Sequence, residues 1–445
     1  MNPAQENAMM LASILGIDEG EAASRLEKTI LITTNGLVNG WAREIQELLQ
    51  RTVRITLDSR VPANLELVLG QATPQTSLPC LYAAYDERGV TVAANFAKRF
   101  GHAHPLFAYI GAIAVAAASL STVIGETSLP SAPLPLEINF NEVGVPAEFL
   151  NQEFDLSGAV LIGAGAVAHG FLRACRFLNM TGELTIVDPK KVGAGNPNRC
   201  LFLDESDVGQ DKALALRARA QSDFQNLRLT SFVGEYREFV KQHGPSSTAI
   251  VTVDSRRARR KIQSELPGRV FDASTTDIQA VVIHSHRQPN PYACLSCIYK
   301  HIPDEIARER SIADGLGVDL QTVKEAFISE DAAARICRSH PGLRPEGLVG
   351  MAYDSLFKQL CGEHALRTPE GKQVLAPFAF VSMLAGVLLA CEFVRSEGDL
   401  ANTNYWTVDP WRAPIARLRR LRPRLVDCEF CSKPSVDRAA LELWS

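Results

Sequence analysis

AVLIGAGAVAHGFLRACRFLNMTGELTIVD, residues 159–188, decides how this chain reads. The apolar run Ala159–Ile162 is short and shows no alternation, as in a strand buried on both faces. It leads into Gly163, Gly165 and Ala168, a G-x-G-x-x-A turn, and then into an apolar-periodic helix. A second strand at 184–187 ends in Asp188. This is one βαβ unit of the nucleotide-binding type, with an acid at the spacing for a ribose hydroxyl. Glycines let the backbone turn tightly and approach a phosphate. The helix N-terminus offers unpaired N–H groups and the positive end of its dipole to an anion. A glycine turn needed only for helix–sheet packing would carry the same letters, so the downstream residues matter.

Strand-like runs continue at 228–232, 249–253, 270–272 and 280–284, with helical patterns between several of them. That alternation predicts an α/β domain with a doubly wound, mostly parallel sheet. In such a sheet the C-terminal strand ends face one crevice. Asp188 stands at one end. Next come GAGNPNRCLF with Asn196, Asn198 and Arg199, and VGQDKA with Lys212. AIVTVDSRRAR brings Asp254 to a strand end, with Arg259 five residues later. Two cations, an acid and a phosphate-cradling loop suit a nucleoside triphosphate. Arg199 and Lys212 would neutralise phosphates, and Asp254 would hold Mg²⁺ through a hard oxygen ligand. A nicotinamide dehydrogenase would not need this set. Taken singly, each charge reads as a solvated surface pair. Arg256, Arg257 and Arg260 read as an exposed helix face.

The rest of the chain bounds the answer. Its 445 residues, 46% hydrophobic and 22% charged, suggest a soluble globular protein of two or three domains. A net charge of −4 argues against a general nucleic-acid or membrane binder. The N-terminus lacks the basic, then apolar, pattern of a signal peptide. The apolar stretch Pro105–Ile124 is rich in alanine and serine and reads as a core helix. Ten cysteines are dispersed, four of them in two C-x-x-C pairs. That favours a cytoplasmic, metal-binding reading over a disulfide scaffold. Cys294, Cys297, Cys428 and Cys431 supply four thiolates for one tetrahedral Zn²⁺. Their separation would clip the tail onto the nucleotide domain. A redox role for either pair is the alternative.

Two apolar segments, 107–126 and 378–397, align without gaps. A weak internal repeat would make the first third a second copy that has lost its glycine loop. Two unrelated alanine-rich helices would explain the same likeness. The domain reading is therefore 1–145, a degenerate copy of the main domain; 146–300, the nucleotide-binding domain; 301–375, a helical cysteine-bearing insertion; and 376–445, the return helix and zinc-clip segment.

In this order, the glycine loop, Asp188, N-x-N-R, V-G-x-x-K and the strand-end Asp254 resemble the ubiquitin-activating enzyme superfamily. That superfamily includes bacterial adenylyltransferases of thiamine and molybdopterin biosynthesis. The resemblance covers about residues 150–300 and extends to the last C-x-x-C. It implies a Rossmann-like domain in which Asn196, Arg199, Lys212 and Asp254 serve ATP and Asp188 serves the ribose. The implied reaction is attack of a protein's C-terminal carboxylate on the ATP α-phosphate. Four departures stand out: Ala168 for the third glycine, Cys200 for a glutamine, Lys190 for an acid and Ser255 for an asparagine. In the conjugating branch a cysteine then takes the acyl group as a thioester. Cys361, in KQLCGEH between Lys358 and His364, is favoured over Cys337 in ARICRSH; no thioester cysteine is the third option. Cys175 and Cys391 read as core. The implied partners are a ubiquitin-like protein and a conjugating enzyme, with anti-phage conjugation as an analogy. A dimer-like pairing of adenylation halves is expected, with residues 1–145 as the degenerate, inactive adenylation-like half and 146–300 as the ATP-binding one; a homodimer stays open. Arg51, Arg54 and Arg60 are indistinguishable candidates for a trans-acting arginine on the phosphates. Two other readings remain: adenylation of a peptide, sulfur carrier or tRNA without a thioester, and a non-catalytic nucleotide-binding scaffold.

Overall fold

Two sheets form, and their strands follow closely related connection orders. The computed structural model describes residues 3–96, 101–125, 129–276, 278–289, 291–300, 304–325, 327–354, 356–357, 360, 378–398 and 402–444. In the first half come α1 (Pro3–Leu15), α2 (Glu19–Leu26), β1 (Thr29–Thr34), α3 (Asn39–Leu49), β2 (Arg54–Thr56) and β3 (Leu65–Leu69). They are followed by β4 (Cys80–Tyr85), β5 (Gly89–Ala93), α4 (Pro105–Ile124) and β6 (Leu136–Asn139). The sheet order is β2-β1-β3-β4-β5-β6, parallel up to β4 and antiparallel beyond.

The second half has β7 (Glu153–Asp155), β8 (Ala159–Ile162), α5 (Ala166–Cys175), β9 (Asn179–Val187), α6 (Lys212–Ala220) and β10 (Leu227–Phe232). Then come α7 (Tyr236–His243), β11 (Thr248–Val251), α8 (Arg256–Ser264), β12 (Arg269–Thr276), β13 (Ala280–Arg287), the Ala379–Glu397 helix and β14 (Tyr405–Val408). The order is β10-β9-β8-β11-β12-β13-β14, with β7 beside β9. Removing β10 leaves β9-β8-β11-β12-β13-β14, the connection order of the first sheet. The two apolar helices occupy one slot: α4 joins β5 to β6, and the Ala379–Glu397 helix leads into β14 after β13.

The mostly parallel α/β reading agrees with this architecture, but the alternation stops at β12. The runs at 270–272 and 280–284 belong to one antiparallel hairpin, paired from Arg269↔Arg287 to Thr276↔Ala280. The three residues between its strands are too few for a parallel crossover, which takes a dozen or more.

Both apolar helices have the length and composition of membrane spans, yet their apolar windows are 78% and 94% buried inside the protein. The Ala379–Glu397 helix lies directly on α5, the helix after the glycine turn. A Cβ on Gly386 would fall 2.2 Å from the backbone N of Phe171. A Cβ on Gly170 would fall 2.8 Å from the carbonyl oxygen of Ser382. The close helix approach is thus made by this glycine pair, while Ala168 packs without exposure. Across the halves, Arg173 on α5 bonds Glu44 at 2.7 Å and Glu47 at 2.5 Å on α3, and Arg176 also pairs with Glu44.

Residues 304–360 include helices Asp304–Leu316, Leu320–Val323 and Glu330–Ser339 around a separate core with Leu316, Val323, Ile336 and Tyr353. This insertion covers α8 and corrects the reading of its arginines as an exposed face. Arg257 is buried, bonds Glu309 at 2.7 Å and donates to the carbonyl of Val323. Arg260 is buried and donates to the carbonyl of Tyr299 at 3.0 Å. Arg256 stays exposed. A buried guanidinium needs acceptors, and here the packed insertion and neighbouring loop supply them.

Candidate nucleotide-binding site

At the C-terminal ends of β8, β9 and β11 lies a cavity of about 300 Å³. Its walls include Gly163, Gly165, Asp188, Lys190, Asn196, Arg199, Lys212 and Asp254. Residues separated by up to about ninety positions are brought together because parallel strands end on one side.

Gly163 has φ +95°. A side chain is disfavoured there, and a Cβ would also crowd Thr252 Oγ1 at 3.2 Å. Gly165 differs. It caps α5 with an ordinary φ of −87°, and a Cβ there would meet nothing within 4 Å. Neither packing nor backbone strain requires glycine at this wall position. The open space is the cradle a phosphate would use against the helix N-terminus, so the residues fit an anionic ligand.

Asp188 is almost fully buried. Its Oδ2 accepts the Ala164 N–H at 2.7 Å and its Oδ1 accepts the Lys190 N–H at 2.7 Å. It therefore bolts the glycine turn to the end of β9, besides lining the cavity. Asn196 Oδ1 accepts the Gly193 N–H at 2.9 Å and shapes the following loop. Lys190 Nζ lies 3.4 Å from Asp254 Oδ2. Burial opposes the Lys190 charge, but Asp254 and Asp188 outweigh it and hold the ammonium above its ordinary value. Lys212 makes no ion pair among the described residues. Burial pushes its ammonium down; Asp188 opposes that and Lys190 adds to it. A desolvated cation of this kind gains from an incoming anion.

Behind the cavity, Arg259 bonds Asp272 at 2.7 Å, and Tyr299 donates to the same carboxylate at 2.5 Å. Cys200 is buried and burial pushes its thiol up.

Two residues of the first half reach the site: Glu6, which sequence reasoning missed, and Arg51, which the sequence left level with Arg54 and Arg60. Glu6 on α1 lines the cavity and pairs with Arg199 at 2.9 Å. Arg51 donates to the carbonyls of Pro197 at 2.5 Å and Leu201 at 3.2 Å. Arg51 thus holds the loop bearing Asn196 and Arg199 from behind. Arg54 and Arg60 are exposed and pair locally with Glu27 and Asp58. No local pattern marks Glu6 or separates Arg51 from Arg54 and Arg60, since the partners of Glu6 and Arg51 lie far along the chain.

Cys294, Cys297, Cys428 and Cys431 converge, their Sγ atoms all within 4.8 Å of one another. Neighbouring sulfurs lie 3.8, 3.8 and 3.4 Å apart. Tetrahedral thiolates at ~2.3 Å from Zn²⁺ would be about 3.8 Å apart. All four are buried, and the Leu425 N–H donates to Cys297 Sγ at 3.4 Å. The donor set and spacing fit zinc.

Cys361 lies outside the described residues, as do Lys358 and His364. Cys337, on helix Glu330–Ser339, packs against the insertion's core; burial, then Glu346, push its thiol up, away from the reactive thiolate. Cys175 and Cys391 are fully buried, as expected of core residues.

The fold and the site together define a member of the ubiquitin-activating enzyme superfamily. The chain belongs to the ThiF family, which matches residues 138–430, and residues 1–146 match the E1 N-terminal domain. A curated relative, "Uncharacterized protein y4jF" of Sinorhizobium fredii (strain NBRC 101917 / NGR234), is 28% identical over 264 residues. That match covers 54% of this chain and 49% of the relative, so the chain spans about half the length of the curated protein it matches. Among solved structures, Escherichia coli MccB with ATP is similar at 12% identity and a TM-score of 0.38, covering 65% of this chain and 68% of that one. E. coli tRNA N6-threonylcarbamoyladenosine dehydratase, TcdA, is similar at 12% identity and a TM-score of 0.30, covering 59% of this chain and 90% of that one.

Proposed function

We propose that the chain adenylates the C-terminal carboxylate of a ubiquitin-like protein. A carboxylate oxygen attacks the ATP α-phosphorus, the bond to the bridging oxygen breaks, and pyrophosphate leaves an acyl-adenylate. Arg199 and Lys212 neutralise the charge on the phosphates, and Asn196 fixes their loop. Asp188 takes the ribose hydroxyls. Asp254 is the carboxylate that would hold Mg²⁺, which supplies further charge neutralisation; its contact with Lys190 would then loosen. In a second step the thiolate of Cys361 attacks the acyl carbon and AMP leaves. The thioester is the form handed to a conjugating enzyme. Zn²⁺ on the four cysteines would have a structural role, clipping the tail to the nucleotide domain.

The observation that carries this reading is the one cavity in which the glycine turn, Arg199, Lys212 and Asp254 converge. The match to the E1 N-terminal domain supports the protein-substrate branch. We read the first half as a degenerate copy paired in cis. Its strand order repeats that of the second half, while its β1–α3 connection reads NGLV, without the G-x-G turn.

ATP–pyrophosphate exchange with candidate ubiquitin-like proteins tests the proposal. Exchange should vanish in Asp254→Ala and survive in Cys361→Ala, which should lose a thiol-sensitive adduct. Exchange that persists in Asp254→Ala refutes the site assignment. Complete turnover by Cys361→Ala refutes the thioester step and favours a peptide, sulfur carrier or tRNA substrate.

A further inference from the structure

The first turn of α1 enters the cavity, and its carboxylate sits where an anionic ligand would. Glu6 Oε2 lies 2.9 Å from Arg199 Nη1 and 3.5 Å from Asn198 Nδ2. The Glu6 and Arg199 side chains are each only 19% exposed, so water screens the pair weakly. A Cβ on Gly195 would lie 2.5 Å from Glu6 Oε2, so the carboxylate rests on the backbone that begins the N-x-N-R loop. Next along, Asn7 Nδ2 donates to the carbonyl of Arg51 at 2.6 Å, which anchors this turn. Among the described residues, Glu6 is the ion partner of Arg199.

We propose that Glu6 is a built-in competitor of the nucleotide's phosphates for Arg199. This rests on reading the cavity as the nucleotide site. Arg199 is fully available to a polyphosphate only when Glu6 withdraws. A polyphosphate bound beside Glu6 would place like charges together in a half-buried space. Glu6 therefore lowers affinity for the nucleotide and couples its entry to release of the first turn of α1. The opposite role, in which Glu6 aims Arg199 at the ligand, predicts the reverse sign.

The test is calorimetric titration of the full chain, wild type and Glu6→Gln, with Mg-ATP and separately with inorganic tripolyphosphate. Glutamine keeps the size and a hydrogen bond but removes the charge. Glu6→Gln should bind both anions about tenfold more tightly, equivalent to ~1.4 kcal/mol. The gain should disappear in an Arg199→Ala background. Hydrogen exchange on the unaltered protein gives a second readout: ATP should lower protection of the amides of residues 6–10. Wild-type ATP binding with equal or weaker binding in Glu6→Gln overturns this proposal and leaves the nucleotide reading intact. A tighter tripolyphosphate complex in Glu6→Gln with no ATP binding overturns the nucleotide reading alone. Binding of neither anion to either protein overturns both.

Discussion

Replacing Arg51 with methionine separates a loop held by the first half of the chain from one that holds itself. Methionine keeps an unbranched apolar stem and removes the guanidinium. Two contacts carry the effect, to the carbonyls of Pro197 at 2.5 Å and Leu201 at 3.2 Å; the contact to Leu203 at 3.5 Å is marginal. A hydrogen bond from a charged donor contributes ~1.5–3 kcal/mol, so two approach about 3–6 kcal/mol before the freed carbonyls regain water. Rehydration returns part of that, and the bond from the Phe202 N–H to His169 Nδ1 at 3.2 Å, which the substitution leaves in place, still restrains the loop. A net ~2 kcal/mol, about a factor of thirty, is the expected loss. Hydrogen exchange of residues 196–203 should accelerate by about that factor. The ATP Kd should rise by up to the same factor, while kcat falls less, since the loop once ordered is unchanged. Arg60→Met is the control, because Arg60 is 88% exposed and its pair with Asp58 contributes little. A folded Arg51→Met protein with loop exchange within twofold of wild type would refute the reasoning.

Three further outcomes follow from the geometry. Metal analysis should find one zinc per chain; Cys428→Ser should lose it and expose the tail after residue 424 to protease, and full zinc with an unchanged digestion pattern would argue against the clip. Gly386→Ala should lower stability by about 3 kcal/mol in chemical denaturation, because backbone atoms of Phe171 and Gly170 within 2.5 Å cannot be relieved by a rotamer change; an unchanged midpoint would refute the helix contact. Burial, with Lys212 and Arg173 adding to it, pushes His169 from 6.5 down to about 3. Between those values the unfolded chain binds a proton that the folded chain refuses, so stability falls as pH drops from about 6.5 toward 3, by ~1.4 kcal/mol per unit. His169→Gln should remove that part of the slope in urea titrations at pH 7, 6 and 5, and an identical slope would sink the assignment.

The sequence by itself determined the elements whose patterns are local. Ala159–Ile162, the G-x-G turn and Pro105–Ile124 appear where their apolar runs and glycines put them. The two C-x-x-C pairs were legible for the same reason: each pair is set by one short spacing, and only their meeting is long-range. Only the tertiary structure decided the fate of the charged residues. The run RRARRK at 256–261 has the composition of a solvated face, yet the insertion buries Arg257 and supplies its acceptors. Glu6 enters the site and Arg51 holds its loop from behind, each from more than one hundred and forty residues away, and no spacing rule reaches that far. A periodic pattern shows which face of an element leaves water. It does not show what will lie against that face, and for a charge that neighbour decides whether it is solvated, paired or held ready for a ligand.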